Sequence, residues 1–140
     1  MLKKQYRMNE EILSITNQII YDGKIEHGSE EVKTWWLETP NKDFKPKLNW
    51  MRVALNPNNP VVFLNTDHII KKLSDQNLRW MKNKNFVESA VVNMLVTDLI
   101  FYGVDLKDIG IITPFLDQSV HLEKLLQSHL INEIYTIDKS

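Results

Sequence analysis

Few side chains in this 140-residue chain could do chemistry, and the common catalytic arrangements are missing. There is no GxxxxGK(S/T) loop, so a backbone cradle for nucleotide phosphates and its magnesium-binding hydroxyl are absent from these residues. GxGxxG, GxSxG and HExxH are absent too, and four glycines leave hardly any place for a glycine-rich phosphate loop. The lack of cysteine excludes a thiolate nucleophile, a disulfide framework and a sulfur-ligated zinc. His27, His68, His121 and His129 are scattered without the spacing of a helical metal site, and read as ordinary histidines. What remains is Gln5-Tyr6-Arg7-Met8, directly ahead of a helix, and two strand ends, Ile112-Thr113-Pro114-Phe115 and Tyr135-Thr136-Ile137-Asp138. Taken alone, Arg7 is most simply a surface partner for Glu10 or Glu11, worth at most about 1 kcal/mol.

Trp35, Trp36 and Trp50 lie in a proline- and asparagine-rich stretch, where they can either stack on a base or pin the loop to the domain; pinning is the more usual role. Lys71, Lys72, Arg79, Lys82 and Lys84 make residues 69–84 basic, as a solvated insertion or as a loop tracking phosphates. The formal net charge is −1, so phosphate neutralisation by this chain alone is weak, and it forms at best one wall of a nucleic-acid site. Composition is that of a soluble globular protein, 43% apolar and 25% charged, and no apolar run approaches the roughly 18 residues of a membrane span. The basic start, Met1–Arg7, has no apolar core of a signal peptide.

The elements that must position these residues follow from periodicity. Asn9 caps a predicted helix to Ile20, with Glu10 and Glu11 at its positive end and Ile12, Ile15, Ile19 and Ile20 as its apolar stripe. Asp22 and Gly23 stop it. Residues 33–60 are expected to be irregular, because Pro40, Pro46, Pro57 and Pro60 interrupt them. Val61–Leu64 reads as a buried strand. Asn85 with Glu88 opens the longest predicted helix, to Tyr102, with Val87, Ala90, Val91, Met94, Leu95 and Asp98 on one face and Gly103 past its end. Ile109–Thr113 is a predicted strand. Asp117 caps a predicted helix to about His129, with Val120, Leu122, Leu125 and Leu126 inward, and Glu133–Thr136 opens another strand. This alternation means an α/β fold with a parallel sheet covered on both faces, its ligand edge at the loops after Thr113 and Thr136.

The ordered set of Gln5-Tyr6-Arg7-Met8, Tyr21-Asp22-Gly23-Lys24, Asp108-Ile109-Gly110-Ile111-Ile112-Thr113-Pro114 and a terminal Thr136-Ile137-Asp138 resembles the second RecA-like domain of superfamily 1 helicases, in the branch that moves 5′ to 3′. Met8-Asn9, YDGKIEHGSEEV at 21–32 and NNPVVFLNTD at 58–67 narrow the likeness to the eukaryotic replication nuclease-helicases, which trim long flaps from Okazaki fragments and resect broken ends. The likeness covers the chain from Leu2 to Ser140 and lapses at about 33–55 and 69–84, where insertions look particular to this sequence. It implies a partial second RecA-like motor domain over 1–140, incomplete at its C-terminal end. In that family a glutamine-glycine stretch and a further arginine motif follow, and the first motor domain, the nuclease domain and an iron–sulfur cluster lie elsewhere in the parent.

By the same resemblance Arg7 matches the arginine finger that reaches the γ-phosphate, which is then the better reading of this residue. Tyr6 matches an aromatic that stacks on adenine, although packing stays equally open to it. Gln5 belongs to the same nucleotide-facing motif. Thr113, Pro114 and Thr136 match the strand-end track for single-stranded DNA, where a hydroxyl and backbone N–H groups suit phosphate contacts. ATP and magnesium are then held mainly by the first motor domain. Nuclear action, with the mitochondrion as a second compartment, is implied for the parent. Two other readings stand beside this one: an RNA helicase of the same branch, and a non-catalytic α/β interaction module. An uncovered sheet edge and domain face make self-association of the isolated chain an expectation. Without a phosphate loop the purified chain should hydrolyse no ATP, and single-stranded DNA should leave phosphate release at background.

Overall fold

The computed structural model describes residues 3–70, 84–127 and 134–136. A short strand β1 (Lys4–Gln5) turns into helix α1 (Glu10–Thr16), which loosens into a π-helical turn (Asn17–Tyr21) and returns as β2 (Glu26–His27). Helices α2 (Glu30–Lys33), α3 (Asn49–Ala54) and α4 (Asp67–Ile70) follow. The long helix α5 (Phe86–Phe101) leads through a 3-10 turn (Leu106–Asp108) to β3 (Ile111–Thr113), α6 (Leu116–Leu126) and β4 (Ile134–Thr136). The strands form two parallel pairs. In one, Lys4 faces Glu26 and Gln5 faces His27. In the other, Ile111, Ile112 and Thr113 face Ile134, Tyr135 and Thr136. Each pair is joined through helix, as parallel strands require, and the fold is α/β.

Side-chain amides set the helix boundaries. Asn9 accepts from the Ile12 N–H at 3.0 Å and Asn85 from the Glu88 N–H at 3.1 Å, so both expected caps are present. Asp22 (φ 50°) and Gly23 (φ 71°) end the first helix in the left-handed region. Gly103 (φ 86°) closes α5 as a Schellman cap, with its N–H on the Ile100 carbonyl and that of Val104 on Leu99. Asn17 clamps the backbone of Ile25, donating to its carbonyl at 2.7 Å and accepting from its N–H at 3.1 Å. Asn41 covers the far end of α5, its backbone and side chain donating to Tyr102 and Phe101. Phe44 stacks on Phe101 and meets Tyr102 edge-on.

The core is Val96 of α5 against Leu122 and Leu126 of α6, with Val92, Ile100, Leu106, Ile109 and Ile111 around it. A buried polar bridge lies at the other end of this contact. Gln118 accepts from the Asn85 N–H at 2.7 Å and donates to the Ser89 hydroxyl at 2.9 Å.

Several expected elements differ. The stripe of α1 is turned: Leu13 is the buried residue, while Ile15, Ile19 and Ile20 are exposed; the π-helical turn after Thr16 shifts the phase at Ile19 and Ile20. The buried face of α5 carries Ser89 and Val96 rather than the expected stripe, and Ala90 is exposed. That helix is apolar nearly all round, so periodicity cannot choose its inner face. On α6, Leu122 and Leu126 face inward as expected; Val120 and Leu125 are exposed, and Gln118 and Ser119 take their place. Phe115, not Asp117, is the cap position, and the expected end at His129 lies outside the described residues. Residues 33–60 are not wholly irregular: α3 fits between Pro46 and Pro57, and buries Met51. Val61–Leu64 forms no strand, and Phe63 is 89% exposed, since no neighbouring strand among the described residues accepts its backbone. The basic residues 71–83 lie outside the described residues.

Replacing Gln118 by Ala should destabilise the chain by about 1–3 kcal/mol in urea unfolding, because the Asn85 N–H and Ser89 hydroxyl lose their shared partner. Gln118→Leu, which fills the same space without hydrogen bonds, should recover little of it.

Candidate functional site

The Gln5–Met8 turn is built around one carboxamide. Strand β1 delivers Gln5, whose Oε1 accepts from the Arg7 N–H and the Met8 N–H, both at 2.7 Å. Its Nε2 donates to the Met8 carbonyl at 2.7 Å and meets His27 Nδ1 at 2.9 Å. In that geometry Nδ1 is the acceptor, so the His27 proton sits on the other ring nitrogen. Gln5 therefore braces the turn and anchors it to β2. Its amide is spent on the protein, which sets it apart from the two residues that follow.

Tyr6 is 59% exposed. Its ring lies directly against Gly28, the residue after β2. Arg7 is exposed, and among the described residues its guanidinium makes no ion pair. One of its two expected partners already faces another cation: Lys33 lies 3.8 Å from both Glu10 and Glu30. The simple surface pairing of Arg7 with Glu10 or Glu11 is thus not what this structure forms. Arg7 instead lines an open cavity of about 210 Å³ together with Asn9, Ile12, Trp35, Trp36 and Pro57.

Asn9 serves two segments at once. Its Oδ1 caps α1, and its Nδ2 donates to the Trp35 carbonyl at 3.0 Å. The tryptophan loop is therefore pinned through its backbone, while the Trp35 and Trp36 rings stay 50% and 48% exposed. Trp50 stands at the start of α3.

The second group of sequence-predicted residues sits on the other strand pair. Thr113 and Thr136 are parallel register partners, so the topology brings these two strand ends side by side. Thr113 is only 5% exposed, and its hydroxyl accepts from the Phe115 N–H at 3.4 Å across the exposed Pro114. The hydroxyl shapes the turn; the backbone beyond it is what faces outward. Among the described residues no group of three or more His, Cys, Asp or Glu could hold a metal ion.

The whole chain, residues 1–140, matches the family described as AAA domain. It belongs to that family. This AAA domain is 35% identical, over 99% of its length, to the DNA replication ATP-dependent helicase/nuclease DNA2 of Bos taurus. It is 33% identical to the protein of the same name in Homo sapiens and 36% identical to the helicase/nuclease JHS1 of Arabidopsis thaliana. The chain spans 14% of the length of the two animal relatives and 10% of the plant one. The resemblance read from the motifs, to a superfamily 1 helicase domain of the replication nuclease-helicase kind, is borne out.

Gly28 and His27 lie in the 21–32 stretch that carries the family likeness, and His27 reads there as an ordinary histidine; their contacts with Tyr6 and Gln5 arise only from the pairing of β1 with β2. Asn9 was recognised as a cap, but its bond to Trp35 links residues too distant in sequence to show a pattern. Gln5→Ala should raise hydrogen exchange at the Arg7 and Met8 amides about tenfold or more, since both lose their acceptor. Unchanged protection at these two amides would contradict the bracing role.

Proposed function

We propose that this AAA domain serves as the second, RecA-like motor domain of an ATP-dependent 5′ to 3′ DNA helicase of the replication and repair nuclease-helicase type. The observation that carries the proposal is the Arg7 guanidinium: exposed, without an ion pair among the described residues, and presented by a braced turn. A cation that is to stabilise charge on a phosphoryl group in transfer must not be neutralised by its own domain. Planar guanidinium offers several donors at once, and such a finger contributes on the order of 10³ or more to turnover.

The residues on this chain fit part of a nucleotide. Tyr6 offers an exposed ring to the base and Arg7 a free cation to the terminal phosphate, while Gln5 holds both in place. ATP, when bound, supplies the phosphoryl group whose transfer drives the cycle. The phosphate cradle and the magnesium ligands belong to a first motor domain of a longer protein, and the described residues hold no carboxylate cluster for the metal. An iron–sulfur cluster has no thiolate ligand in this chain, which contains no cysteine.

Closure of the two motor domains brings Arg7 to the phosphate, and opening withdraws it. Movement along DNA follows from unequal affinity for the strand in the two states. The backbone at Thr113-Pro114 and at Thr136 contacts strand phosphates, which position DNA without reading its sequence. Ile112, 68% exposed on β3, marks the sheet face that other segments of the longer protein cover. The lengths at about 33–55 and 69–84 are insertions on this plan. DNA rather than RNA is favoured because the matched relatives carry DNA replication in their names, and action in the nucleus follows from that role.

In the complete helicase, Arg7→Ala should lower ATP turnover by about 10³-fold while single-stranded DNA affinity stays within a few-fold of the original. ATPase rate with and without single-stranded DNA, beside a fluorescence-anisotropy titration, measures both; undiminished turnover would reject the finger assignment.

A further inference from the structure

Gly28 stands where the parallel register of β1 and β2 continues by one residue. Gln5 pairs with His27, and the Gly28 N–H donates to the Gln5 carbonyl at 2.7 Å, so the next residue on β1's side, Tyr6, lies over Gly28. A Cβ built on Gly28 would collide with the Tyr6 ring, against Cε1, Cζ and Cε2. The backbone itself does not demand glycine here, because among the described glycines only Gly23 and Gly103 have positive φ. Alanine fits the Gly28 backbone, and what it cannot share is the space of the ring.

The atoms in conflict are the outer end of a side chain that is 59% exposed. The ring can therefore swing away without opening a core. Arg7 is held separately, through the bonds from its own N–H and that of Met8 to Gln5. The two functions of the turn are mechanically divided: Gly28 sets where the ring lies, and Gln5 sets where the guanidinium is presented.

We propose that Gly28 is a positioning residue for nucleotide binding, the seat that holds the Tyr6 ring in the orientation that stacks on the base. This rests on the reading of Tyr6 as the base-stacking residue. Stacking depends on ring orientation, so filling the seat weakens nucleotide binding while the phosphoryl-transfer machinery stays in place. A loss of this kind appears in KM and spares kcat.

The test uses the complete helicase under single-stranded-DNA-stimulated conditions. Gly28→Ala should raise the KM for ATP about 5- to 20-fold, the lower part of the range for one lost base–aromatic stack, with kcat within about twofold. Tyr6→Ala should raise KM by a similar factor, Tyr6→Phe should leave it near the original, and the Tyr6→Ala/Gly28→Ala double variant should be no worse than Tyr6→Ala alone. A normal KM in Gly28→Ala when Tyr6→Ala raises it, or multiplicative effects in the double variant, would overturn the seat. An unchanged KM in Tyr6→Ala would overturn base stacking first and the seat with it. Thermal melting of the chain separates folding from binding. Any loss of stability in Gly28→Ala should be recovered in the double variant, where the ring is gone; a loss that persists there also overturns the proposal.

Discussion

The Gln5 carboxamide accepts from two successive backbone N–H groups and donates to the carbonyl of the second, closing a turn around a single planar group. The same nitrogen meets His27 on the neighbouring strand, so the turn is tied to a rigid element as well as to itself. Each of these bonds is worth about 1 kcal/mol when partly exposed. Their importance lies in geometry: they leave Tyr6 and Arg7 projecting from a backbone that cannot rotate freely. A guanidinium on a loose loop would have to be ordered each time it met a phosphate, and that entropy would be lost from the interaction.

Elsewhere the chain uses the same device. The side chain of Asn85 caps its own helix, and Asn9, Asn17 and Asn41 each join a helix end to another segment through a short amide side chain. Gln118 does so between α5 and α6 inside the domain. Amides suit this work because each carries a donor and an acceptor, and so can satisfy both kinds of backbone group left open at helix termini. The result is a small α/β fold whose hydrophobic cluster of Val96, Leu122 and Leu126 is modest, and whose registration depends heavily on polar bridges.

Electrostatics are arranged by subtraction. Lys33 lies between Glu10 and Glu30 and so faces one of the two carboxylates that open α1. The other pairs, Lys24 with Asp22 and Lys107 with Asp105, are local and exposed and contribute little to stability. Asp98, on α5, has its pKa raised by burial against the opposing influence of Lys47, as befits a carboxylate on a mostly apolar helix. With a formal net charge of −1, bulk attraction of the chain to a polyanion is weak.

The helices opened by Asn9 and Asn85 with their asparagine caps, the left-handed stops at Asp22, Gly23 and Gly103, and the motif residues Gln5, Tyr6, Arg7, Thr113 and Thr136 were legible in the linear chain, because each depends on neighbours a few positions away; the short strands Lys4–Gln5 and Glu26–His27 were not. That the strands ending at Thr113 and Thr136 run parallel with their ends on one edge also followed, from the alternation of strand and helix; the register that pairs Thr113 with Thr136 did not. The buried faces of α1 and α5 were not legible: in one Leu13 rather than Ile15 turns inward and a π-helical turn changes the phase beyond Thr16, and the other is apolar on nearly every side. Nor could the chain by itself reveal that Val61–Leu64 stays outside a sheet, or that the Thr113 hydroxyl turns inward to Phe115. Tertiary structure alone decided that Lys33 takes Glu10 and that Gly28 lies under Tyr6. Both are contacts between segments some twenty residues apart, and only the pairing of β1 with β2 and the packing of α2 beside it bring them within reach.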